Sequence, residues 1–147
     1  MLFRSLTGLD GRKMSKSYNN YIPLFAPEKN LRKLIMKITT NSQAPEEPKE
    51  TVGCALFEMY RAFATPEQVA QMRAKFAEGI GWGYVKQELF EVVNAQLAEP
   101  REKYADLMQN PAYIEKVLKE GAEKARTYSR PFLDRIRQSV GIRTLTA

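Results

Sequence analysis

The sequence has no histidine and one cysteine, Cys54, among its 147 residues. Without histidine, the chain holds neither a Ser-His-Asp nor a Cys-His catalytic arrangement, and no histidine-ligated metal site. One cysteine excludes an internal disulfide and a cysteine-based metal site, and it fits the reducing cytoplasm. No apolar run reaches the length of a signal peptide core or a membrane span. These absences predict a cytoplasmic chain that has no metal site of its own and no membrane partner.

Charge is distributed in three blocks. Residues 1–37 carry 8 basic and 2 acidic side chains, residues 38–115 carry 7 and 12, and residues 116–147 carry 8 and 3. Both ends are therefore strongly cationic, although the whole chain has a net charge of only +6. Such a distribution favours localised anion-binding surfaces, for phosphate or nucleic acid, over a uniformly basic chain.

The apolar residues follow a helical period from Pro27 onward. A first helix is predicted to begin at Pro27 and a second near Val52. The string Thr65-Pro66-Glu67-Gln68 has the form of a capping box, and it begins a third helix that Gly79 ends. Residues before Phe25 show no helical or strand period. The chain is thus predicted to be all-α, a helical bundle preceded by an irregular loop segment.

Two longer helices follow a tight glycine-rich connection at residues 79–83. The first contains Pro100, which should kink or split it, and the second begins at Asn110-Pro111 and contains Pro131, which predicts a bend. Trp82 and Cys54 are interpreted as packing residues. Apolar positions that recur at three- and four-residue steps predict a buried face on both helices: Leu89, Val93, Leu97, Tyr104, Leu107, Ile114, Leu118, Gly121, Ala125, Tyr128, Phe132 and Ile136.

One short segment is rich in groups that bind phosphate. In the string Asp10-Gly11-Arg12-Lys13-Met14-Ser15-Lys16-Ser17, two lysines stand three residues apart among two hydroxyl side chains, after a glycine. A lysine carries a compact charge on a flexible stem that can follow a moving phosphate. Such a loop would offset the charge that develops on a leaving pyrophosphate. From residue types alone, a solvated basic turn is the commoner interpretation.

The string Lys-Met-Ser-Lys-Ser at residues 13–17 is the consensus form of the second ATP-binding motif of class I aminoacyl-tRNA synthetases. The flanking strings Gly8-Leu9-Asp10-Gly11-Arg12, Tyr18-Asn19-Asn20 and Ile22-Pro23-Leu24-Phe25 resemble those of bacterial tryptophanyl-tRNA synthetases. The string Gly81-Trp82-Gly83-Tyr84-Val85-Lys86 is similar to the Gly-Trp-Gly-x-x-Lys segment of the same family. The resemblance extends from about Gly8 to Gly141, which is nearly the whole chain.

The resemblance implies a reaction and roles for the loop. In this family, tryptophan attacks the α-phosphate of ATP, with Mg²⁺, and is then transferred to the 3′ end of tRNA(Trp) by a homodimeric enzyme. Lys13 and Lys16 would act in catalysis by contacting the ATP triphosphate, and the ATP-binding residues would be Lys13, Met14, Ser15, Lys16 and Ser17. The attacking carboxylate is already ionised at neutral pH, so the chemistry needs no histidine base.

The resemblance also shows what the sequence does not contain. The family's other ATP motif, His-Ile-Gly-His or a close variant, and its tryptophan pocket lie in a Rossmann-like fold, and this sequence has no βαβ alternation to build one. Residues 1–25 are therefore interpreted as the loop segment of a catalytic domain, and residues 26–147 as a helical anticodon-binding domain. We expect the isolated chain to be inactive and residues 1–25 to be flexible. Thr7 stands where the family usually has Pro, and residues 1–6 match poorly.

The last helix carries the second cationic block. In the family this region recognises the anticodon, and the candidate tRNA contacts are Lys116, Lys119, Lys124, Arg126 and Arg130, with Arg135, Arg137 and Arg143 beyond them. Arginine pairs bidentately with phosphate and stacks on unpaired bases, which suits a single-stranded anticodon loop. A solvated surface, with ion pairs such as Glu120 with Lys124, is the competing interpretation.

Three other interpretations stay open. A tyrosyl-tRNA synthetase shares the architecture and the loop, although the Gly-Trp-Gly segment and the Tyr18-Asn19-Asn20 flank argue against it. A stand-alone RNA-binding or interaction module could have kept the lysines only as ancestry. The third is a helical remnant that binds nothing.

Overall fold

The computed structural model describes residues 6–142. Within that range the chain forms five α-helices and no strand: α1 (Glu28–Met36), α2 (Ala55–Phe63), α3 (Pro66–Glu78), α4 (Trp82–Gln109) and α5 (Pro111–Ser139). An isolated antiparallel bridge joins Thr7 to Lys13. The predicted all-α class is confirmed. Arg143, which extends the cationic block, lies outside the described residues, as do residues 1–5.

The hydrophobic core is drawn from α1, α2, α3 and the first part of α4. The aromatic rings at its centre meet edge to face, with 5.3 Å between the centroids of Phe57 and Phe76 and 5.9 Å between those of Phe76 and Trp82. Each such pair adds about 1 kcal/mol to the effect of burial. The packing role predicted for Trp82 is confirmed, and Cys54 also packs against this core. The buried members are Leu31, Ile35, Ile38, Leu56, Phe57, Met59, Tyr60, Met72, Phe76, Ile80, Val85, Leu89, Phe90 and Val93.

The capping box predicted at the start of α3 is present. The side chain of Thr65 accepts a hydrogen bond from the backbone N–H of Gln68 at 3.3 Å, and the side chain of Gln68 accepts one from the backbone N–H of Thr65 at 2.9 Å. Two donors that the first helical turn leaves unpaired are thereby satisfied.

Two other helix starts lie later than predicted. Pro27 is the N-cap residue of α1, which begins at Glu28, and α2 begins at Ala55 rather than near Val52. The side chain of Val52 is 86% exposed. The glycine after it adopts a φ of 74°, a left-handed conformation that breaks the helical pattern.

A glycine ends α3, as predicted, and the structure shows why no other residue fits. Gly79 has a φ of 102°, and a Cβ atom there would lie 2.5 Å from the carbonyl oxygen of Glu46. The connection that follows is shorter than predicted, because α4 already begins at Trp82. Trp82 and Gly83 therefore belong to a helix and not to the connection.

The long helices run through their internal prolines. Pro100 lies inside α4 and Pro131 inside α5, so the prediction that Pro100 could split its helix is wrong. Each proline removes one backbone hydrogen bond. Helices of 28 and 29 residues retain enough of the others to continue.

The described chain divides into two compact units, of which the first ends at Lys103 and the second begins at Tyr104. No residue of α5 is buried, and the exposed fractions of Tyr128 and Phe132 are 82% and 58%. The prediction that these two residues belong to a core is wrong. The apolar stripe of α5 is real, but so short a unit has too few residues to enclose it. The same correction applies to Tyr104, Leu107, Leu118 and Ile136, which are all exposed.

Candidate functional site

The segment that carries the two lysines is folded into a closed turn. The backbone N–H of Gly8 donates to the carbonyl of Arg12 at 2.6 Å, and that of Met14 donates to the carbonyl of Leu6 at 3.0 Å. Gly11, at the tip, has a φ of 83°, where a glycine is favoured. We call residues 10–17 the lysine loop.

The lysine loop is attached to the helical unit. The backbone N–H of Thr39, just after α1, donates to the carbonyl of Leu9 at 2.9 Å. The side chains of Leu9, Met14 and Ile22 pack against the core. The described part of the segment that we expected to be flexible is therefore hydrogen-bonded and packed. The prediction that residues 1–25 are flexible did not take account of the hydrogen bond between Leu9 and Thr39.

Met14 and the two serines differ from the lysines in what they contact. Met14 is half-buried and anchors the loop to the core. The hydroxyl groups of Ser15 and Ser17 lie 2.8 Å apart and share a hydrogen bond. The loop thus brings together the five motif residues, with the sulfur side chain inward and the serine hydroxyls side by side.

The cations of the loop are not equivalent. Arg12 forms an ion pair with Asp10 at 2.6 Å, and its guanidinium lies 4.5 Å from the ring centroid of Tyr18. Lys13 and Lys16 are exposed, and neither forms an ion pair with any residue from 6 to 142. The arginine is therefore neutralised, while both lysines remain available to an anion.

The carboxyl group of Asp10 is strongly held in its ionised form. The side-chain amide of Asn20 donates to Oδ1 at 2.7 Å, and the backbone and side chain of Arg12 donate to the two carboxylate oxygens. The hydrogen bond from Asn20, with those from Arg12, lowers the pKa of Asp10 to about 2. This carboxylate serves the loop itself and is not free to bind a ligand.

The second motif of the sequence, around Trp82, is structural in this fold. The indole N–H of Trp82 donates to Oδ1 of Asn41 at 3.0 Å. The half-buried Lys86 donates to the carbonyl of Met36 at 3.1 Å, which caps the end of α1. Burial lowers the pKa of the Lys86 ammonium. This motif therefore ties the end of α1, and the segment after it, to α4.

The cations of α5 differ in the helix face on which they lie and in whether they form an ion pair. Lys119, Arg126 and Arg130 are separated by seven and four residues, which are about two turns and one turn, so they share one face of the helix. Lys116 pairs with Glu120 at 3.9 Å, and this pair replaces the expected pair of Glu120 with Lys124. Arg126 and Arg130 also line one shallow groove on this helix, together with the acidic Glu123. The face with three cations is thus the stronger candidate for contact with a phosphate backbone.

Comparison with known proteins identifies the family. The family described as "tRNA synthetases class I (W and Y)" matches residues 1–98. The chain belongs to this family. The matched part contains the lysine loop and the core formed by α1, α2, α3 and the first part of α4.

Individual relatives within the family agree on one amino acid. A tryptophan–tRNA ligase of Xanthomonas campestris pv. campestris is 51% identical over 144 residues, which cover 97% of this chain and 33% of that protein. The tryptophan–tRNA ligase of Neisseria meningitidis serogroup A is 49% identical over 140 residues, which cover 95% of this chain and 42% of that protein. The chain therefore spans between a third and a half of the length of these curated relatives.

A solved structure of the family has the same fold. The tryptophanyl-tRNA synthetase of Campylobacter jejuni, solved in complex with ADP and tryptophan, aligns with a TM-score of 0.87 at 37% identity. The alignment covers 94% of this chain and 44% of that one. The helical arrangement is thus a known part of a larger synthetase.

Asn20 is the residue of the site that sequence reasoning missed. Its side chain is 3% exposed, and it bonds to Asp10, Lys13 and Ser15. The only signal in the sequence was its place in the flank Tyr18-Asn19-Asn20. An asparagine after a basic loop is ordinarily a surface residue, so its burial could not be foreseen.

Proposed function

We propose that this chain is the part of a tryptophan–tRNA ligase that supplies the ATP-phosphate loop and the anticodon-binding helices. The enzyme activates tryptophan with ATP and transfers it to tRNA(Trp) in the cytoplasm, as a homodimer. The observation that carries the proposal is the display of two unpaired lysines, Lys13 and Lys16, on a closed turn with the full Lys-Met-Ser-Lys-Ser string. The identity with tryptophan–tRNA ligases supports the choice of amino acid.

The chemistry asked of the loop is electrostatic. When the tryptophan carboxylate attacks the α-phosphorus, the bond to the β-phosphate breaks and negative charge grows on the leaving pyrophosphate. Lys13 and Lys16 offset that charge through hydrogen bonds to phosphate oxygens, and the hydroxyl groups of Ser15 and Ser17 add donors beside them. No proton is taken from tryptophan, because its carboxyl group is ionised at neutral pH.

Magnesium has no preformed cage of protein ligands among the residues that the structure describes. Residues 6–142 contain no group of three or more side chains that could hold a metal ion. The carboxylate of Asp10 is committed to Arg12 and Asn20. Because Mg²⁺ in nucleotide sites is bound largely by phosphates and water with one or two carboxylates, no step proposed here is routed through it.

The proposed division of labour follows the two cationic blocks. Residues 1–25 form the ATP-phosphate segment, and residues 26–147 form the anticodon-binding helices, with Lys119, Arg126 and Arg130 as phosphate contacts. Lys116 contributes less, because its ion pair with Glu120 partly neutralises its charge, and Lys124 lies on another face of the helix. Within residues 6–142, no helix is both long and apolar enough to cross a lipid bilayer.

The first experiment measures ATP–pyrophosphate exchange. The 147-residue chain alone should show no exchange above background, because it has no His-Ile-Gly-His motif and no tryptophan pocket. A complete ligase is then built by replacing the matched region of the Neisseria meningitidis relative with this chain. That enzyme should exchange with tryptophan and not with tyrosine. Removal of both lysines, by Lys13→Ala with Lys16→Ala, should lower kcat at least about 100-fold.

The second experiment tests the RNA surface. Binding of tryptophan tRNA, an anticodon variant and an unrelated tRNA is measured as salt is raised. The triple substitution of Lys119, Arg126 and Arg130 to alanine should weaken all three and reduce the salt slope by about 3, because each cation removed from a phosphate lowers the slope by about 1. A preference for tryptophan tRNA identifies base contacts as well. Equal binding of all three RNAs would favour the alternative of a general RNA-binding module.

A further inference from the structure

We propose that Asn20 is a positioning residue for the reaction, because its buried side chain fixes the backbone from which Lys13 and Lys16 project. The inference rests on the proposed function and adds to the same site a residue outside the Lys-Met-Ser-Lys-Ser string. Asn20 acts through the lysine loop and does not itself contact ATP.

The burial of Asn20 makes its hydrogen bonds decisive. With 3% of its surface exposed, it is one of two buried polar or charged residues among residues 6–142, the other being Lys49. A buried amide that lacks partners is strongly destabilising. The side chain of Asn20 satisfies both of its ends within the loop, which holds it in one orientation.

The three side-chain hydrogen bonds bracket Met14. Nδ2 of Asn20 donates to the carbonyl of Lys13 at 3.2 Å, and Oδ1 accepts from the backbone N–H of Ser15 at 2.8 Å. These are the two peptide groups on either side of Met14, so holding both fixes the backbone between them. The third bond, from Nδ2 to Asp10 at 2.7 Å, reaches the beginning of the lysine loop.

The backbone around Asn20 closes the loop from the other side. The carbonyl of Asn20 accepts from the N–H of Leu9 at 2.9 Å, and the N–H of Asn19 donates to the carbonyl of Lys16 at 3.1 Å. A Cβ atom at Gly8 would lie 2.4 Å from Nδ2 of Asn20. Gly8 therefore leaves the space that the amide occupies.

No ion pair among the described residues holds the side chain of either lysine. Both side chains are exposed and without an ion pair there, whereas Arg12 is paired with Asp10. The position of each ammonium group thus depends on its flexible stem and on the backbone at its base. Fixing that backbone before ATP arrives reduces the ordering that the transition state must supply.

The test uses the complete ligase described above, with three variants. Asn20→Ala removes all three side-chain bonds, Asn20→Asp keeps the shape and the acceptor for Ser15 but loses the donor, and Asn30→Ala is the matched control. Asn30 lies exposed on α1, away from the loop. Asn20→Ala should lower kcat for ATP–pyrophosphate exchange about 100-fold and leave the KM for tryptophan within about twofold. Asn30→Ala should change neither.

The pH dependence of Asn20→Asp separates positioning from a general loss of structure. Two carboxylates at the separation of Asp10 and Asn20 repel each other when both are ionised, and they share a proton at mildly acidic pH. That proton restores the hydrogen bond to Asp10, although not the second one, which the amide donates to the carbonyl of Lys13. Relative to the unsubstituted enzyme, the activity of Asn20→Asp should therefore rise as pH falls from about 8 to about 5.5, while that of Asn20→Ala stays constant. The other titratable groups nearby are Arg12, which pairs with Asp10, and Tyr18, Tyr21 and Lys37, which line the adjoining groove.

The outcomes are distinguishable. If the unsubstituted ligase shows no tryptophan-dependent exchange, the proposed function fails, and amide exchange at Ser15 still tests whether Asn20 holds the loop. If that ligase is active and Asn20→Ala retains its kcat within about threefold, the inference is overturned. It is also overturned if Asn20→Asp loses the same activity at every pH, or if Ser15 exchanges no faster in Asn20→Ala. Thermal unfolding, monitored by circular dichroism, establishes whether each variant is folded.

Discussion

The unit that ends at Lys103 and the helix α5 carry the same kind of apolar pattern with opposite results. In the first unit, Phe76 and Leu89 are completely buried. In α5, residues at equivalent steps are exposed, with Phe132 at 58% and Tyr128 at 82%. Four helices surround the first set, whereas the second unit has few residues to offer. A helical period therefore shows that a helix has an apolar face, and the number of neighbouring elements decides whether that face is covered.

The two regions also suit the two tasks in the proposed function. Phosphate chemistry requires a fixed backbone from which the lysine side chains project, and the lysine loop is bonded to the packed unit at Leu9 and Thr39. Contact with an RNA backbone requires a long accessible row of cations. The exposed helix α5 provides such a row with Lys119, Arg126 and Arg130.

The largest difference between the regions should appear when one phenylalanine is removed from each. Phe76→Ala should lower the free energy of unfolding by about 4 kcal/mol, because it leaves a cavity beside Phe57 and Trp82. Phe132→Ala should change it by less than about 0.5 kcal/mol, since that ring is mostly in solvent. Urea unfolding monitored by circular dichroism measures both. Equal losses would mean that α5 is packed in solution.

A smaller contrast is expected for two glycines. Gly79→Ala should lower the free energy of unfolding by about 3 kcal/mol. The φ of Gly79 is 102°, and the new Cβ would approach the carbonyl of Glu46. Gly121→Ala should stabilise α5 by roughly 0.5 to 1 kcal/mol, since the added Cβ would meet no atom within 4 Å apart from the adjacent backbone of the helix. Thermal unfolding and far-UV circular dichroism follow the two variants. Destabilisation by Gly121→Ala would reveal a close contact at that position.

Much of the fold could be predicted because its signals are local. The capping residues of α3, the glycine that ends it and the asparagine that begins α5 act within one helical turn, so they are readable along the chain. Two features depended on distant atoms and were missed: the exposed face of α5 and the attachment of residues 6–25 to the core. For example, the sequence alone does not show that the N–H of Thr39 donates to Leu9. The later start of α2 was also missed, although its cause, Gly53, is local.

The candidate site divides in the same way. The five motif residues could be located because their string is specific and contiguous. That Arg12 is neutralised while Lys13 and Lys16 are not depends on where Asp10 folds back. The burial of Asn20 depends on the space left by Gly8, twelve residues earlier. Properties of this kind arise from side-chain contacts that composition and spacing do not specify.

The cap of α3 should contribute a moderate amount to stability. Thr65→Ala removes the side-chain acceptor for the N–H of Gln68 and should lower the free energy of unfolding by about 1 kcal/mol. Thr65→Ser keeps the hydroxyl and should recover most of the loss. Urea unfolding of the three proteins gives the comparison. A serine variant as unstable as the alanine variant would show that the methyl group, and not the hydrogen bond, is responsible.

The smallest expected effect on stability concerns the acid range. The pKa of Asp10 is lowered to about 2, chiefly by the hydrogen bond from Asn20 and then by Arg12. Because the folded state has the lower pKa, the stabilisation from this carboxylate is fully present above the pKa of the unfolded chain, 3.8, and is lost as pH falls toward about 2. A ¹³C NMR titration of the carboxyl carbon measures the value directly.

A carboxylate of the loop and one of α5 differ in the groups that they contact. In Asn20→Ala the pKa of Asp10 should rise toward its ordinary value, because the hydrogen bond that lowers it most is gone. Asp134 on α5, by comparison, pairs with Arg137 at 3.6 Å with both side chains more than half exposed. A pKa for Asp10 that stays near 2 in Asn20→Ala would mean that Arg12 alone holds the carboxylate, and that the amide is not the centre of the loop.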